Sequence, residues 1–90
     1  MTTAIVLINT DRTKINLVGE QLAGINGITE VFSVGGSVDF VAVVRVASND
    51  ALAELITEKI NQIEGIIKTE TMVAFRAFSK SDFAGMFDMQ

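Results

Sequence analysis

The chain alternates between two hydrophobic periods. Residues 2–9, TTAIVLIN, are β-branched and almost continuously apolar, the pattern of a central strand covered on both faces. Asn9, Thr10 and Asp11 are cap-forming residues, and after them the period lengthens. Ile15, Val18, Leu22 and Ile25 stand three, four and three apart, one face of a helix, with Lys14, Asn16 and Glu20 left to water. Gly24 and Gly27 bracket its end. Strand character returns over 28–46 as two β-rich runs, 28–34 and 38–46, parted by Gly35, Gly36 and Ser37. Adjacent glycines let a chain reverse at little steric cost, which predicts a β-hairpin with a tight turn. Ser48, Asn49 and Asp50 open a second helix with Leu52, Leu55, Ile56, Ile60 and Ile63 on one stripe and Glu54, Glu58, Lys59 and Glu64 outside, ended by Gly65. Residues 66–78 read as a last long strand, with Lys68, Glu70, Met72, Ala74 and Arg76 on one face and Thr69, Thr71, Val73 and Phe75 on the other.

The order β-α-β-β-α-β is two βαβ halves joined by a hairpin, an α+β ferredoxin-like plait: a four-stranded antiparallel sheet with both helices on one face. The uncovered face should then alternate polar, and it does not. Val41 and Val43 oppose Phe40, Ala42, Val44 and Val46, and Ile5 and Leu7 oppose Val6 and Ile8, so both faces are apolar. A patch of that size marks an interaction surface. Two copies are expected to pack sheet against sheet through a two-fold contact, a dimeric α/β barrel. Residues 1–78 form the expected domain. The tail 79–90 carries Phe83, Met86, Phe87 and Met89, too apolar for a free linker, and is expected to dock on its own domain or a neighbour, with Ser81 and Asp82 capping a short helix.

Composition narrows the chemistry. The chain has 90 residues, enough for one small core, and 49% of them are hydrophobic, a surplus that again implies a second copy. Cysteine and histidine are absent, which removes disulfides and the usual transition-metal ligands. The net charge is −4 and no two of the seven basic residues are adjacent, so direct nucleic-acid binding is disfavoured. No membrane span or signal peptide is visible, and a cytoplasmic protein is the default expectation. Neither a nucleophile–base pair nor a phosphate loop is present: Gly35-Gly36 lacks the following Lys-Ser/Thr and helix. No catalytic residue, cofactor or metal is expected.

The remaining candidates are polar groups near the hairpin. Asp39 is an acid at the start of an apolar strand. It either bonds turn amides, or makes Gly35–Asp39 a rim whose bare backbone admits a small ligand and whose carboxylate meets a ligand cation. Thr69 and Thr71 stand two apart, so their hydroxyls share a face; threonine also simply suits strands. With Asp39 and glycine backbone they could hold a zwitterion. Glu30, Glu70, Arg45 and Arg76 read as surface or interface charges.

The element order, the segment Val34-Gly35-Gly36-Ser37-Val38-Asp39-Phe40, and Gly65-Ile66-Ile67-Lys68-Thr69-Glu70-Thr71 together resemble the effector-binding (RAM) domain of Lrp/AsnC transcriptional regulators. That pattern is a glycine and an aspartate opening the third strand, here Gly36 and Asp39, then a Gly-Ile step and a Thr-x-Thr pair, here Gly65-Ile66 and Thr69 with Thr71. The resemblance covers nearly the whole chain. It implies an amino-acid-binding module that dimerises through its sheets and assembles into octamer-type rings, with ligand at contacts between dimers. The implied ligand-binding residues are Gly36, Asp39, Thr69 and Thr71, with Gly35, Ser37 and Val38 supplying backbone. Val38 stands where the family often has an aromatic residue, which bears on contacts needing a ring. The expected form is a stand-alone member without its own helix-turn-helix, co-assembling with a DNA-binding relative of the same family. Two other readings stay open: a small dimeric α/β-barrel enzyme of the monooxygenase or isomerase kind, marked by a deep polar pocket between sheet and helices, and a purely structural oligomer.

Overall fold

The computed structural model describes residues 1–78 and Lys80; the expected docking and helix of the tail lie outside the described residues. The elements are β1 (Thr2–Thr10), α1 (Ile15–Ala23), β2 (Ile28–Ser33), β3 (Phe40–Val46), α2 (beginning as Asn49–Glu54) and β4 (Ile66–Val73). The sheet order is β2-β3-β1-β4 and every neighbouring pair is antiparallel. This is the expected α+β ferredoxin-like plait.

Strand alternation decides what each face does. Ala4, Val6 and Ile8 of β1 and Phe40, Ala42 and Val44 of β3 are buried and pack with Val18 and Leu22 of α1 and Leu52, Leu55 and Ile60 of the second helix. The alternate residues Ile5 and Leu7, paired with Val43 and Val41, lie on the face the helices leave open and are only half-buried. The sheet is therefore apolar on both sides, as the pattern predicts.

Local chemistry fixes the helix ends. The Asp11 carboxylate accepts from the Thr13 amide (3.0 Å) and hydroxyl (2.8 Å) and starts a 3-10 turn, Arg12–Lys14, that leads into α1. Ser48 Oγ accepts from the Ala51 amide (3.1 Å) at the start of α2. Beyond Glu54, α2 widens into a π-helical stretch, Leu55–Lys59, and closes as a 3-10 turn, Ile60–Gln62. The sequence stripe contains the reason. Leu55 and Ile60 are five apart, off-register for an α-helix but aligned by one i→i+5 turn, and both are buried.

Two expectations change. The hairpin does not reverse tightly at the glycines: Ser33 pairs with Phe40, and residues 34–39 form a longer loop. Asp39 is shared between the two sides: its carbonyl accepts from the Val34 amide across the hairpin (3.0 Å), but its amide turns to β1. The Asp39 amide donates to the Ile8 carbonyl (2.9 Å) rather than across the hairpin. The last strand also ends early, at Val73 instead of 78. β1 begins at Thr2, so after the Ala74 amide donates to the Thr3 carbonyl (2.8 Å) β1 offers no further residues to pair with.

Gly27, which joins α1 to β2, has φ +103°, and an added Cβ would lie 2.7 Å from Leu55 Cδ1 and 3.0 Å from Val46 Cγ1. Gly36 has φ +130° with nothing within 4 Å. Gly27→Ala therefore adds a clash with packed side chains to backbone strain of about 1–3 kcal/mol, whereas Gly36→Ala carries the strain alone. Chemical denaturation should show the larger loss for Gly27→Ala; equal losses would mean that the packing around Gly27 is loose.

Lys14 Nζ donates to Glu64 Oε1 (2.9 Å), tying the start of α1 to the turn before β4. The Lys14 hydrogen bond holds the Glu64 carboxyl below its ordinary value, and the Glu64 hydrogen bond raises Lys14. The Glu64 contribution is present above the ordinary carboxylate value and lost as pH falls through the lowered one. The Lys14 contribution is present below the ordinary lysine value and lost as pH rises through the raised one. Glu64→Gln should flatten both the acid and the alkaline limb of Tm against pH; limbs identical to those of the unaltered chain would show that the pair contributes nothing.

Candidate functional site

The loop 34–39 stands at the end of the sheet and is held there by β1. One Asp39 carboxylate oxygen, Oδ2, accepts from the Thr10 amide (2.8 Å). Asn9 Nδ2 donates to the Ser37 carbonyl (2.9 Å), and the Val34 amide donates to the Asp39 carbonyl (3.0 Å). Asp39 thus bonds a backbone amide, as a turn-forming acid would, but one from a different strand. Among the described residues its second oxygen, Oδ1, has no hydrogen-bond partner. Gly35, Gly36 and Ser37 are exposed, and the space over Gly36 is open. Backbone is therefore bare at a place that a part-buried hydrogen bond keeps rigid.

A cleft of about 240 Å³ lies beside this loop, lined by Leu7, Asn9, Ser37, Val38, Lys68 and Glu70. Lys68 pairs with Asn9 and Glu70 with Leu7, so the two charges sit on the open face of the sheet. Thr69 and Thr71 do not line this cleft. They pair with Ile8 and Val6, whose side chains are buried under the helices, so both hydroxyls point to the opposite side of β4. Within one chain, then, the structure joins Ser37 and Val38 to Lys68 and Glu70, and separates Asp39 from the threonine pair by the width of β1. The alternation of β4 already placed Lys68 and Glu70 on one face; the register against β1, which no local pattern carries, is what brings that face to the loop.

A second groove, about 420 Å³, runs between α1 and the β2 edge and is floored by Phe40. Its polar groups are Asn16, Glu20 and Ser33. Glu20 is the one charged residue among the described residues that line it. Among the described residues there is no cluster of metal-binding side chains and no helix long and apolar enough to cross a membrane.

Residues 3–82 match the family model of the Lrp/AsnC ligand binding domain. This chain belongs to that family. It is 40% identical over 58 residues to an uncharacterized HTH-type transcriptional regulator of Pyrococcus furiosus, a match covering 64% of this chain and 39% of that protein. The chain thus spans well under half the length of the curated relatives it matches. Among solved structures, a Thermus thermophilus protein is 39% identical with a TM-score of 0.84, covering 89% of this chain and 100% of that one. A feast or famine regulatory protein from M. tuberculosis, complexed with L-methionine, is 26% identical with a TM-score of 0.75, covering 89% of this chain and 54% of that one. The fold and the ligand-binding-domain character of the chain follow from these matches.

Asp39 gives a direct test of how the Lrp/AsnC-type loop is built. Asp39→Ala removes the acceptor for the Thr10 amide and should cost about 1–3 kcal/mol of stability. Asp39→Asn keeps an acceptor oxygen and should lose much less. Amide exchange at Thr10 reads the bond itself: fast exchange in the alanine variant alone is expected, and unchanged protection in both would show that the carboxylate does not hold the loop.

Proposed function

We propose that this chain is an oligomeric effector module that binds a small amino acid and modulates transcription or amino-acid metabolism without contacting DNA itself. The observation that carries this reading is the loop 34–39, where exposed glycine backbone is held rigid by Asp39 at the edge of a half-buried apolar sheet face. Rigid, uncovered N–H groups suit a carboxylate, and the free oxygen of Asp39 suits an ammonium group. The family membership and the methionine-bound relative support an amino acid as the ligand class.

On this reading residues 1–78 are the effector domain and two copies stack through their open sheet faces, burying Ile5, Leu7, Val41 and Val43. Several hundred Å² of apolar area on each copy, at roughly 25 cal/mol per Å², gives a gross gain of about 10 kcal/mol or more, part of which association entropy offsets. Dimers associate further into an octamer-type ring. There the loop of one subunit, Gly35, Gly36, Ser37, Val38 and Asp39, meets Thr69 and Thr71 of a neighbour, which resolves their separation within one chain. A DNA-binding member of the same family is the partner through which the signal reaches promoters, and the cytoplasm is where the two would meet.

Calorimetric titration with each of the twenty amino acids, followed by sedimentation at saturation, tests the reading. Heat and a change in assembly size with at least one amino acid are expected, lost on Asp39→Asn while the fold persists. No heat and no change with any of them would overturn it.

A further inference from the structure

Exposed large apolar side chains concentrate at one element. Besides Met1, Leu17 and Phe32, they are Ile67, Met72, Val73, Phe75 and Phe78, all on β4 or the segment that follows it, and Phe75 and Phe78 are 101% and 84% exposed. After Ala74 the chain runs on without a strand partner as an arm, 74–78. Two solvated phenylalanines just beyond the end of a strand are not explained by packing among the described residues.

A slot of about 190 Å³ opens at the root of the same arm, between the sheet end and the arm itself, and is lined by Thr3, Arg45, Ala74 and Arg76 among others. Thr3 and Arg45 are paired residues of β1 and β3 on the open face, so the slot continues the half-buried apolar surface of Ile5, Val43 and Leu7. Neither arginine has a carboxylate partner among the described residues. Arg76 instead lies over the Phe78 ring, 5.9 Å from its centroid. Guanidinium groups stack on aromatic faces, so a slot flanked by two of them is chemically matched to a phenyl ring.

We propose that the arm is exchanged between two copies of this chain, with Phe75 and Phe78 of each seated against the open sheet face of the other at the slot between Thr3, Arg45 and Arg76. The inference rests on the reading that the open faces meet. The same element then donates the aromatic residues and frames the slot that receives them, which is the self-complementarity a two-fold contact requires. The areas agree as well. Each buried phenylalanine removes roughly 150–250 Å² from water. Four rings across the two-fold, with the surface they cover, reach roughly the 1,200–2,000 Å² of a stable interface. The Lrp/AsnC family match, which ends at residue 82, includes the arm.

Two measurements on the full chain test this. The first is sedimentation of the double variant Phe75→Ala/Phe78→Ala. Its helix and sheet content should be unchanged, since both rings lie beyond the end of β4 and outside the core, while dimer dissociation should become easier by on the order of tenfold or more. Association equal to that of the unaltered chain overturns the exchange. Val43→Asp, on the open face, separates the two ideas. Dissociation with Val43→Asp but not with the double variant leaves the stacked sheets and removes the arm; the reverse removes the stacked sheets. The second measurement uses the absence of cysteine from the chain. A chain carrying Phe78→Cys is mixed under oxidising conditions with one carrying Arg45→Cys, and separately with one carrying Glu54→Cys on α2. A mixed disulfide with the Arg45→Cys chain alone is expected. Equal cross-linking to both, or to neither, contradicts the exchange.

Discussion

Two helices can cover only one face of a four-stranded sheet, and this sheet is apolar on both. Ala4, Val6, Ile8, Phe40, Ala42 and Val44 on the covered face make the core, from which water is almost wholly excluded. Ile5, Leu7, Val41 and Val43 on the other face repeat the same kind of side chain and are only half-buried. In a 90-residue domain, where the burial available to one chain is limited, such a face is an unused source of stability. Covering it with a second copy is the proposal made above, and the loop, the polar cleft and the arm all lie around the rim of this face.

The loop illustrates how one competition between strands creates a site. A two-residue turn at Gly35 and Gly36 would have carried the hairpin ladder on through Val34 and Ser37. Instead β1 takes the Asp39 amide through the Ile8 carbonyl and the Asp39 carboxylate through the Thr10 amide, and Asn9 holds Ser37. The segment is fixed at its far end and left bare at Gly35 and Gly36. Lys68 and Glu70 stand on the same side, close enough to share the cleft with Ser37 and Val38. Both signs of charge therefore line one small cleft beside bare glycine backbone.

Much of the fold was legible because it is written locally. The change from period two to helical period and back gives six elements in order, and Asp11 and Ser48 cap the turns that their positions announce. Even the π-helical widening has a local trace in the five-residue step from Leu55 to Ile60. The features that were not legible all depend on another strand. The length of the hairpin loop is set by what β1 binds, the end of β4 by where β1 begins, and the side to which Thr69 and Thr71 point by the Ile8 and Val6 they face. Periodicity shows that two threonines share a face, but only register shows which face, and so the charged groups that share the cleft beside the loop within one chain are Lys68 and Glu70.

The whole account turns on the open face being covered in solution. Sedimentation velocity of the unaltered, ligand-free chain in dilute buffer measures this most directly. The prediction is a species of two or more subunits at every accessible concentration. A single 9.7 kDa species would contradict it.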